Sequence, residues 1–373
     1  MSRVLFKKAT YDYSVLRPAV FTIIESVNKH LIKPDSRVLL KPNLLAPASP
    51  DKAMLTHPLV IRAVSEYVLE KGGKVQISDS PAMGTLEKVL TVSGIKEALA
   101  GLDVEYKEFE QSVSVDIGPP FNRIEIAEDV FKADVIINLP KLKTHAHMLL
   151  TLGVKNLFGC IVGFRKPEWH FRTGIDREMF ATLLVKIHDA IRPALTLLDG
   201  ILGMEGQGPG RSGNPRQIGI LAASEDAVSL DRAVCRILKI EPDELLTNKM
   251  ACQMVSPRGP LEIQGEFPNI LNINLPRITS LVFGPKPLQG FIRRHLSQRP
   301  EPDNDLCKLC GECWKYCPAK AIGRRKRKLS FAYDKCIRCY CCIEVCPHGA
   351  LTQRDTLPGR VMKRILEKNL RHR

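Results

Sequence analysis

The sequence has no long uncharged apolar run of the kind that crosses a membrane. A spanning helix needs about 18 or more such residues, and the longest candidate, residues 149–164, is interrupted by Lys155 and Asn156. Residues 1–8 also contain no apolar stretch of the length found in signal peptides. We therefore expect a soluble, cytoplasmic protein whose cysteines stay reduced.

Common nucleotide-binding and hydrolase motifs are missing as well. There is no Walker A sequence and no G-x-S-x-G sequence. The glycines Gly208, Gly210 and Gly213 have the spacing of a dinucleotide-binding loop, but Pro209 lies among them and a predicted strand follows, where that motif requires a helix. We therefore predict that these glycines form a tight turn or let the backbone approach a ligand.

Cysteine, in contrast, is abundant and regularly spaced. Eight of the 12 cysteines form two copies of C-x2-C-x2-C-x3-C-P, at residues 307–318 and 336–347. A shift of 29 residues superposes the copies, and it also brings Ala321 onto Ala350 and Ile322 onto Leu351. This correspondence indicates an internal duplication.

The spacing favours an iron–sulfur site. A cubane [4Fe–4S] cluster needs four soft thiolate ligands, and three closely spaced cysteines on one loop supply three of them. Zinc also accepts four thiolates, but its usual signature is a pair of C-x2-C knuckles. Disulfides are the weaker alternative because nothing else in the sequence is typical of a secreted protein.

Residues 303–353 closely resemble the bacterial-type two-[4Fe–4S] ferredoxins. In those proteins the last cysteine of each run binds the cluster of the other run. The resemblance therefore implies two [4Fe–4S] clusters, with Cys307, Cys310, Cys313 and Cys346 on the first and Cys336, Cys339, Cys342 and Cys317 on the second. Cys341 breaks the symmetry of the repeat, and we expect a free thiol beside a cluster, with a substitute ligand as the alternative.

Positive charge is concentrated in the C-terminal quarter. Of the formal net charge of +15, residues 286–373 contribute +13, from 21 Lys and Arg against 8 Asp and Glu. Two clusters with eight thiolates would add about −4, so the excess stays positive. Such a surface is expected to attract an acidic electron donor or acceptor protein.

The basic run RRKRK at residues 324–328 has other possible partners. Runs of this kind bind nucleic acid or acidic membrane surfaces. We favour a solvated loop between the two cysteine runs, because no aromatic-interleaved binding motif accompanies it, and we therefore do not expect nucleic acid as a partner.

Residues 1–285 predict an α/β domain with a largely parallel sheet and flanking helices, because strand-like apolar runs alternate with helical patterns. Residues 286–302 predict a Pro-containing linker with a short helix at 291–296. Residues 303–353 predict a small α+β ferredoxin domain, and 354–373 a basic amphipathic helix. Within the first domain we predict strands at 37–40, 74–78, 133–139, 195–198 and 218–222, an antiparallel excursion at 104–130, a glycine-rich loop at 199–213, and helices after 57, at 86–99, at 179–191 and at 226–238, the last capped by Ser224.

Polar residues follow several of the predicted strands. Because ligands of open α/β sheets bind at the carboxyl ends of the strands, we expect a pocket there. Its candidates are Lys41, Asn43, Asp79, Ser80, Lys143, His145, Asp199 and Glu205. With Lys155 and His170 the pocket would be electropositive and would suit a small anionic ligand. A further metal on His145 and His147 is a weaker alternative, since carboxylate partners cannot be placed.

The same segments resemble the family called domain of unknown function 362. The resemblance is carried by KPNL at 41–44, HP at 57–58, Asp79, NLPKLKTHAH at 138–147, VKNLFG at 154–159 and LDGILGMEGQGP at 198–209. It implies a C-terminal ferredoxin domain in several members but no agreed reaction. By this resemblance we expect catalytic roles for Lys143, His145, Lys155 and Asp199, and ligand contacts from Lys41, Asn43, Asp79, Asn156 and Glu205.

Two functions are consistent with these features. In one, the clusters feed electrons to a redox reaction on an anionic ligand held at the strand ends, since a tethered donor has a high effective concentration. In the other, the chain is a non-catalytic electron carrier or a docking module for an acidic redox partner.

Overall fold

The α/β domain is built on a mixed sheet with helices on both faces. We describe residues 2–254, 260–267, 272–276, 278 and 295–361 of a computed structural model. The strands of this domain are β1 (Ser2–Lys8), β2 (Arg37–Pro42), β3 (Lys74–Ile77), β4 (Val104–Tyr106), β5 (Ser112–Gly118), β6 (Asn122–Ala127), β7 (Val135–Leu139), β8 (Lys141–His145), β9 (Leu149–Thr151), β10 (Leu195–Gly206), β11 (Gly213–Ser224) and β12 (Leu261–Gly265). The helices are α1 (Tyr13–Asn28), α2 (Pro58–Glu70), α3 (Leu86–Val92), α4 (Ile95–Ala98), α5 (Asp129–Lys132), α6 (Gly153–Asn156), α7 (Arg165–Thr173), α8 (Arg177–Ile191), α9 (Ala227–Ile237) and α10 (Leu246–Met254).

The strand order along the sheet is β12-β1-β11-β10-β7-β2-β3-β4. Strands β10, β7, β2, β3 and β4 are parallel, whereas β11 runs antiparallel to both β10 and β1. Strand β8 lies parallel to β10 and carries the short antiparallel strand β9. The predicted α/β class with a largely parallel sheet is therefore confirmed. The antiparallel excursion predicted at 104–130 is formed by β5 and β6 only, because residues 104–106 form β4, which is parallel to β3.

Successive side chains of β2 point to opposite faces of the sheet and pack against helices on both sides. Val38 and Leu40 pack into one buried cluster with side chains of α1 and α2. Leu39, which points to the other face, packs into a second cluster with side chains of α8. A strand buried on both faces appears in the sequence as a continuous apolar run, which is why it could be predicted. In the described part of the chain, no helix is long and apolar enough to cross a membrane.

Several local predictions need correction. The helix predicted over 86–99 is two helices, α3 and α4, because Gly94 between them has φ +72°. Helix α9 is capped by Asp226, whose side chain accepts hydrogen bonds from the backbone N–H groups of Val228 and Ser229. The hydroxyl of Ser224, the predicted cap, instead accepts one from Asp226 N.

The glycine-rich segment predicted as a loop is mostly strand. Strand β10 continues through residue 206 and pairs with β11 from residue 213, so that only a short tip joins them. The glycines are needed for packing: a Cβ on Gly203 would lie 2.6 Å from a side-chain atom of Ile218, and one on Gly208 would lie 2.3 Å from the carbonyl oxygen of Thr144. Gly208 and Gly213 thus serve close packing at this tip, and the segment leads into a strand.

The C-terminal module follows the internal duplication. Its elements are β13 (Arg299–Pro302), α11 (Glu312–Lys315), β14 (Ile322–Arg325), β15 (Lys328–Phe331), α12 (Cys341–Glu344) and β16 (Leu351–Arg354). The helices α11 and α12 are separated by 29 residues, like the cysteine runs. Equivalent residues also share backbone geometry, since Leu309 and Arg338 both have a positive φ, of +53° and +59°. Equivalent backbone N–H groups, of Ala321 and Ala350, donate to Cys317 and Cys346 Sγ at 3.3 Å.

The borders of this module differ slightly from the prediction. Strand β13, which falls within the predicted linker at 286–302, pairs with β16 and thus belongs to the module. Residues 286–294, with most of the predicted helix at 291–296, lie outside the described residues. Of the predicted C-terminal helix, residues 357–361 are helical, and residues 362–373 lie outside the described range.

Candidate cluster sites and an adjoining lysine pocket

The structure brings the first predicted set of cysteines together. Cys307, Cys310, Cys313 and Cys346 line one cavity, which we call the first cluster site. Leu309 and Leu329 form part of its apolar wall. Cys310 is exposed to solvent, so one edge of this site reaches the surface of the protein.

The second predicted set also converges. Cys317, Cys336, Cys339 and Cys342 line a separate cavity, which we call the second cluster site. Cys341, the extra cysteine, lies in the same wall and is buried. None of its four predicted ligands is exposed, whereas Cys310 of the first site is, so this site is more enclosed than the first.

The donor sets fit a cubane cluster. In a cubane each cysteine binds a different iron atom, so the four sulfurs surround a cavity and need not meet at one point. Among the described residues, no three His, Cys, Asp or Glu side chains are placed to hold one metal ion. Backbone N–H groups directed at Cys317 and Cys346 supply hydrogen bonds of the kind that tune cluster potentials.

A third cavity, which we call the lysine pocket, lies where the ends of β2, β3 and β8 meet the C-terminal module. Its volume is about 70 Å³, room for a few waters or one small ion. The residues around it are Lys41, Asn43, Leu44, Leu45, Asp79, Ser80, Ala82, Lys143, His145, Thr151, Lys155, Asn156, Phe158, Gly159, Lys166, His170, Pro209, Tyr316, Cys341 and Glu344. Seven of the nine residues expected from the family resemblance are among them.

Lys41 and Asp79 form a fixed ion pair on one side of the pocket. Lys41 Nζ lies 3.0 Å from Asp79 Oδ1, and both side chains are almost fully buried. Asp79 also accepts hydrogen bonds from the backbone N–H groups of Leu44 and Ser80. A Cβ on Gly159 would lie 2.5 Å from Asp79 Oδ1, so only glycine allows the backbone to approach this pair.

Lys143 is held by a network of polar groups. Its Nζ donates to Asn43 Oδ1 and to the carbonyl of Met54, each at 2.7 Å. Asn43 in turn donates to Asn156 Oδ1 at 2.7 Å, and Asn156 donates to the carbonyl of Lys41. Burial lowers the pKa of Lys143 to about 7, so this lysine titrates near neutral pH.

Lys155 differs from the other lysines of the pocket. Its Nζ lies 5.2 Å from the ring of Phe158 and 5.9 Å from that of Phe180, and it donates no hydrogen bond to any residue in the described ranges. Burial lowers its pKa, although the charge of Glu344 opposes this effect. Lys166, by comparison, donates to the carbonyl of Ser80, and burial lowers its pKa to about 8.

His145 and Glu344 join the two parts of the molecule. His145 Nδ1 accepts hydrogen bonds from the backbone N–H groups of His147 and Met148, at 3.1 and 3.3 Å. The proton of the neutral ring is therefore on Nε2, which lies 3.2 Å from Glu344 Oε1. Burial lowers the pKa of His145. Burial opposes ionisation of Glu344, but the neighbouring His145 and Lys155 outweigh it, so the pKa of this carboxyl is lowered.

Two predicted residues lie outside the lysine pocket. Asp199 is fully buried and accepts hydrogen bonds from Lys141 Nζ at 2.7 Å and Tyr11 Oη at 2.8 Å. It also accepts one from the backbone N–H of His57 at 2.9 Å. Glu205 pairs with Arg216 at 2.7 Å. The structure therefore gives both carboxylates internal partners, away from the other candidates.

The two remaining histidines have different positions. His170 lines the pocket, and its ring stacks on that of Phe180 at 4.1 Å. His147 is buried behind it, with the two imidazole centroids 5.5 Å apart. We also considered that His145 and His147 bind a further metal ion, but no third ligand for such an ion lies beside them among the described side chains.

Sequence reasoning missed Lys166, Tyr316 and Glu344, which all line the pocket. Lys166 lies on α7, far from any predicted strand end. The other two belong to the C-terminal module and reach the pocket only because that module packs there. No local pattern could have revealed them.

Comparison with known proteins places the first domain. Residues 38–236 match the family Domain of unknown function (DUF362). A thylakoid-associated protein of Synechocystis is 39% identical over 266 residues, which are 71% of this chain and 82% of the relative. The chain belongs to the domain of unknown function 362 family.

In this family member, residues 299–347 match a 4Fe-4S dicluster domain. A stretch of 56 residues is also 36% identical to pyruvate synthase subunit PorD of Methanocaldococcus jannaschii, covering 15% of this chain and 65% of that subunit. The C-terminal module is therefore an iron–sulfur electron-transfer module.

Two solved structures show partial similarity to this domain of unknown function 362 protein. The lactate racemase apoprotein of Thermoanaerobacterium thermosaccharolyticum has a TM-score of 0.42 and 13% identity, over 63% of this chain and 56% of that one. A Thermotoga maritima protein has a TM-score of 0.36 and 15% identity, over 65% and 58%. The chain thus spans less than two thirds of either structure.

Proposed function

We propose that the protein passes electrons through two [4Fe–4S] clusters to a small anionic ligand bound in the lysine pocket. The observation that carries this proposal is a shared wall. Cys341 lines both the second cluster site and the lysine pocket, and Glu344, at the other end of the same short helix, faces the pocket. A ligand in the pocket would therefore lie next to the second cluster.

Charge selects an anion. Four lysines but only two carboxylates line the pocket, namely Lys41, Lys143, Lys155, Lys166, Asp79 and Glu344. Burial lowers the pKa of His145, and that of His170 to about 3, so the histidines add no positive charge at neutral pH. The low dielectric of a buried site strengthens the attraction between lysine and an anion.

The pocket residues have distinct roles in this proposal. Lys155, which has no hydrogen-bond acceptor within the described residues, is the cation free to bind a carboxylate or oxyanion. Lys143 is oriented by Asn43 and can also donate or accept a proton near neutral pH. The Lys41–Asp79 pair keeps the opposite side rigid. When bound, each cluster supplies one electron per redox cycle.

The proposal is tested by reoxidation of the reduced protein. Anaerobically purified holoprotein is reduced chemically, freed of reductant and mixed with a panel of small carboxylates and oxyanions, while cluster absorbance is followed by stopped flow. We expect at least one class of anion to reoxidise the clusters. Lys155→Met should slow this step by about tenfold or more, since it removes the free cation but keeps the side-chain length.

The matched control is Lys29→Met, because Lys29 is exposed just after α1. It should behave like the wild type. If no anion in the panel reoxidises the clusters, or if Lys155→Met reacts as fast as the control, the proposal is wrong.

One observation favours a second candidate, a non-catalytic electron carrier for an acidic redox partner. Cys310 at the first cluster site is exposed, and all five residues of the basic run 324–328 are exposed on the hairpin formed by β14 and β15. In this case an acidic ferredoxin should reduce the clusters fast at low salt and slowly at high salt. Reversing Arg324 and Lys326 to Glu should abolish that salt dependence.

A further inference from the structure

The second cysteine run contains a buried arginine without a hydrogen-bond acceptor. Arg338, between Cys336 and Cys339, is 0% exposed. Its Nε, Nη1 and Nη2 atoms have no hydrogen-bond partner within the described residues. The guanidinium contacts the ring of Tyr333, whose centroid lies 5.3 Å from Cζ. A buried, permanently charged group with so little compensation indicates that an anion belongs nearby.

The duplication provides an internal comparison. The residue equivalent to Arg338 in the first run is Leu309, 29 positions earlier, and both have the same left-handed backbone conformation. Leu309 lines the first cluster site. The two ligand loops thus have the same shape, but one carries an apolar side chain and the other a buried cation at this position.

A cluster held by Cys336 and Cys339, on either side of Arg338 in the sequence, would be such an anion. A [4Fe–4S] core with four thiolates carries about −2 when oxidised and about −3 when reduced, by charge counting. A fixed positive charge in a medium of low dielectric favours the more negative state. Its effect on the potential does not require direct contact, because a buried charge is only weakly screened.

We propose that Arg338 tunes the second cluster, making it the easier of the two clusters to reduce. Electrons then pass from the first cluster site, which reaches the surface at Cys310, to the second, which borders the lysine pocket. The direction of transfer follows from the difference between the two potentials. The use of the electrons at the pocket rests on the proposed function, whereas the difference in potential does not.

A redox titration monitored by electron paramagnetic resonance tests this inference. Anaerobically purified holoprotein is compared with Arg338→Leu, which copies the first run, and with Arg338→Lys, which keeps the charge. Iron and sulfide are assayed in every sample. We expect two separated potentials in the wild type. Arg338→Leu should shift the more positive one downward, toward the other, and Arg338→Lys should preserve most of the separation.

Lys335→Leu is the matched control. It removes a cation from beside Cys336, but Lys335 is exposed, so solvent screens its charge and neither potential should move. If Arg338→Leu retains both clusters and leaves both potentials unchanged, or shifts the more negative one, the inference is wrong.

The reciprocal variant covers the case in which Arg338→Leu does not retain its clusters. Leu309→Arg places a cation in the first run, and we expect it to shift the more negative potential upward. Unchanged potentials in that variant would overturn the inference. The reoxidation experiment with Lys155→Met tests the proposed function of the lysine pocket, and the redox titration tests the role of Arg338. The failure of one proposal can therefore be distinguished from the failure of the other.

Discussion

His145 Nε2 lies 3.2 Å from Glu344 Oε1, and the two residues come from distant parts of the chain, strand β8 and helix α12. Because His145 Nδ1 accepts hydrogen bonds from two backbone N–H groups, the proton of the neutral ring is on Nε2, beside the carboxylate. Glu344, which belongs to the electron-transfer module, therefore places a negative charge at the edge of a pocket that is otherwise rich in lysine.

This arrangement predicts that Glu344 weakens anion binding. Glu344→Gln removes a carboxylate from the pocket but keeps its shape, so the affinity for sulfate should rise about three- to tenfold. Isothermal titration calorimetry on the anaerobic holoprotein measures the change. Glu312→Gln, on the corresponding helix of the first run, should have no effect. An equal or lower affinity for sulfate in Glu344→Gln would contradict the assigned electrostatics.

Anion binding should also depend on pH. Burial lowers the pKa of Lys143 to about 7 and that of Lys166 to about 8. Protonated lysine attracts sulfate and neutral lysine does not, so affinity is greatest below about pH 7 and falls as the pH rises through both values. A bound anion stabilises the protonated form, so binding above about pH 7 takes up protons from the buffer.

Calorimetry in two buffers with different ionisation enthalpies measures this proton uptake. Lys143→Met should lower the affinity at about pH 6 and flatten the decline between about pH 6 and pH 8. The exposed control Lys29→Met should retain the full profile. A profile that stays steep without Lys143 would show that another group controls it.

Asp199 was expected to be catalytic, and its surroundings predict a structural role instead. Asp199→Asn leaves the buried Lys141 without its charge partner, so the free energy of unfolding should fall by about 3–5 kcal/mol. Sulfate affinity in the pocket should change less than about twofold, since neither Asp199 nor Lys141 lines it. Chemical denaturation and calorimetry measure the two effects. A stable Asp199→Asn variant that has lost sulfate binding would contradict the structural role and would assign Asp199 to the ligand site.

The parts of this molecule that were predictable are those fixed by local rules. Strand β2 could be predicted because residues buried on both faces form an apolar run. The cluster cysteines could be predicted because three ligands within seven residues must surround one cavity. Strand β10 was missed beyond residue 198 because Gly200 and Gly203 are required for packing against Ile220 and Ile218, and glycine ordinarily indicates a loop.

The residues of the lysine pocket were predictable only in part, because some of them reach it through the packing of distant segments. Lys41 and His145 lie at the ends of β2 and β8, and Asp79 follows β3; the topology of a parallel sheet brings such ends together. Asp199 also belongs to a strand of that sheet, but Lys141 of the neighbouring strand neutralises it. Glu344 reaches the pocket only through packing of the C-terminal module. Neither the pairing of Asp199 with Lys141 nor the position of Glu344 follows from residues that are adjacent in the sequence.

Cysteine substitutions test the crossed ligand sets and the position of Cys341 together. Cys317→Ala removes a ligand from the second cluster site although Cys317 belongs to the first run, and Cys341→Ala removes only a wall residue. We expect about eight irons per chain in Cys341→Ala and about four in Cys317→Ala, because a cluster lacking one of its four thiolates is lost while the other persists. Cys252→Ala, a cysteine outside both runs, should keep about eight.

The electron paramagnetic resonance spectrum decides which cluster is lost. If Cys317→Ala removes the second cluster, the reduced variant should show one isolated signal without the broadening that two neighbouring paramagnets produce. Its potential should not respond to Arg338→Leu, since the cluster that Arg338 tunes is gone. Loss of a cluster in Cys341→Ala, with full iron in Cys317→Ala, would mean that Cys341 is the ligand and that the wall between cluster and pocket is formed by another residue.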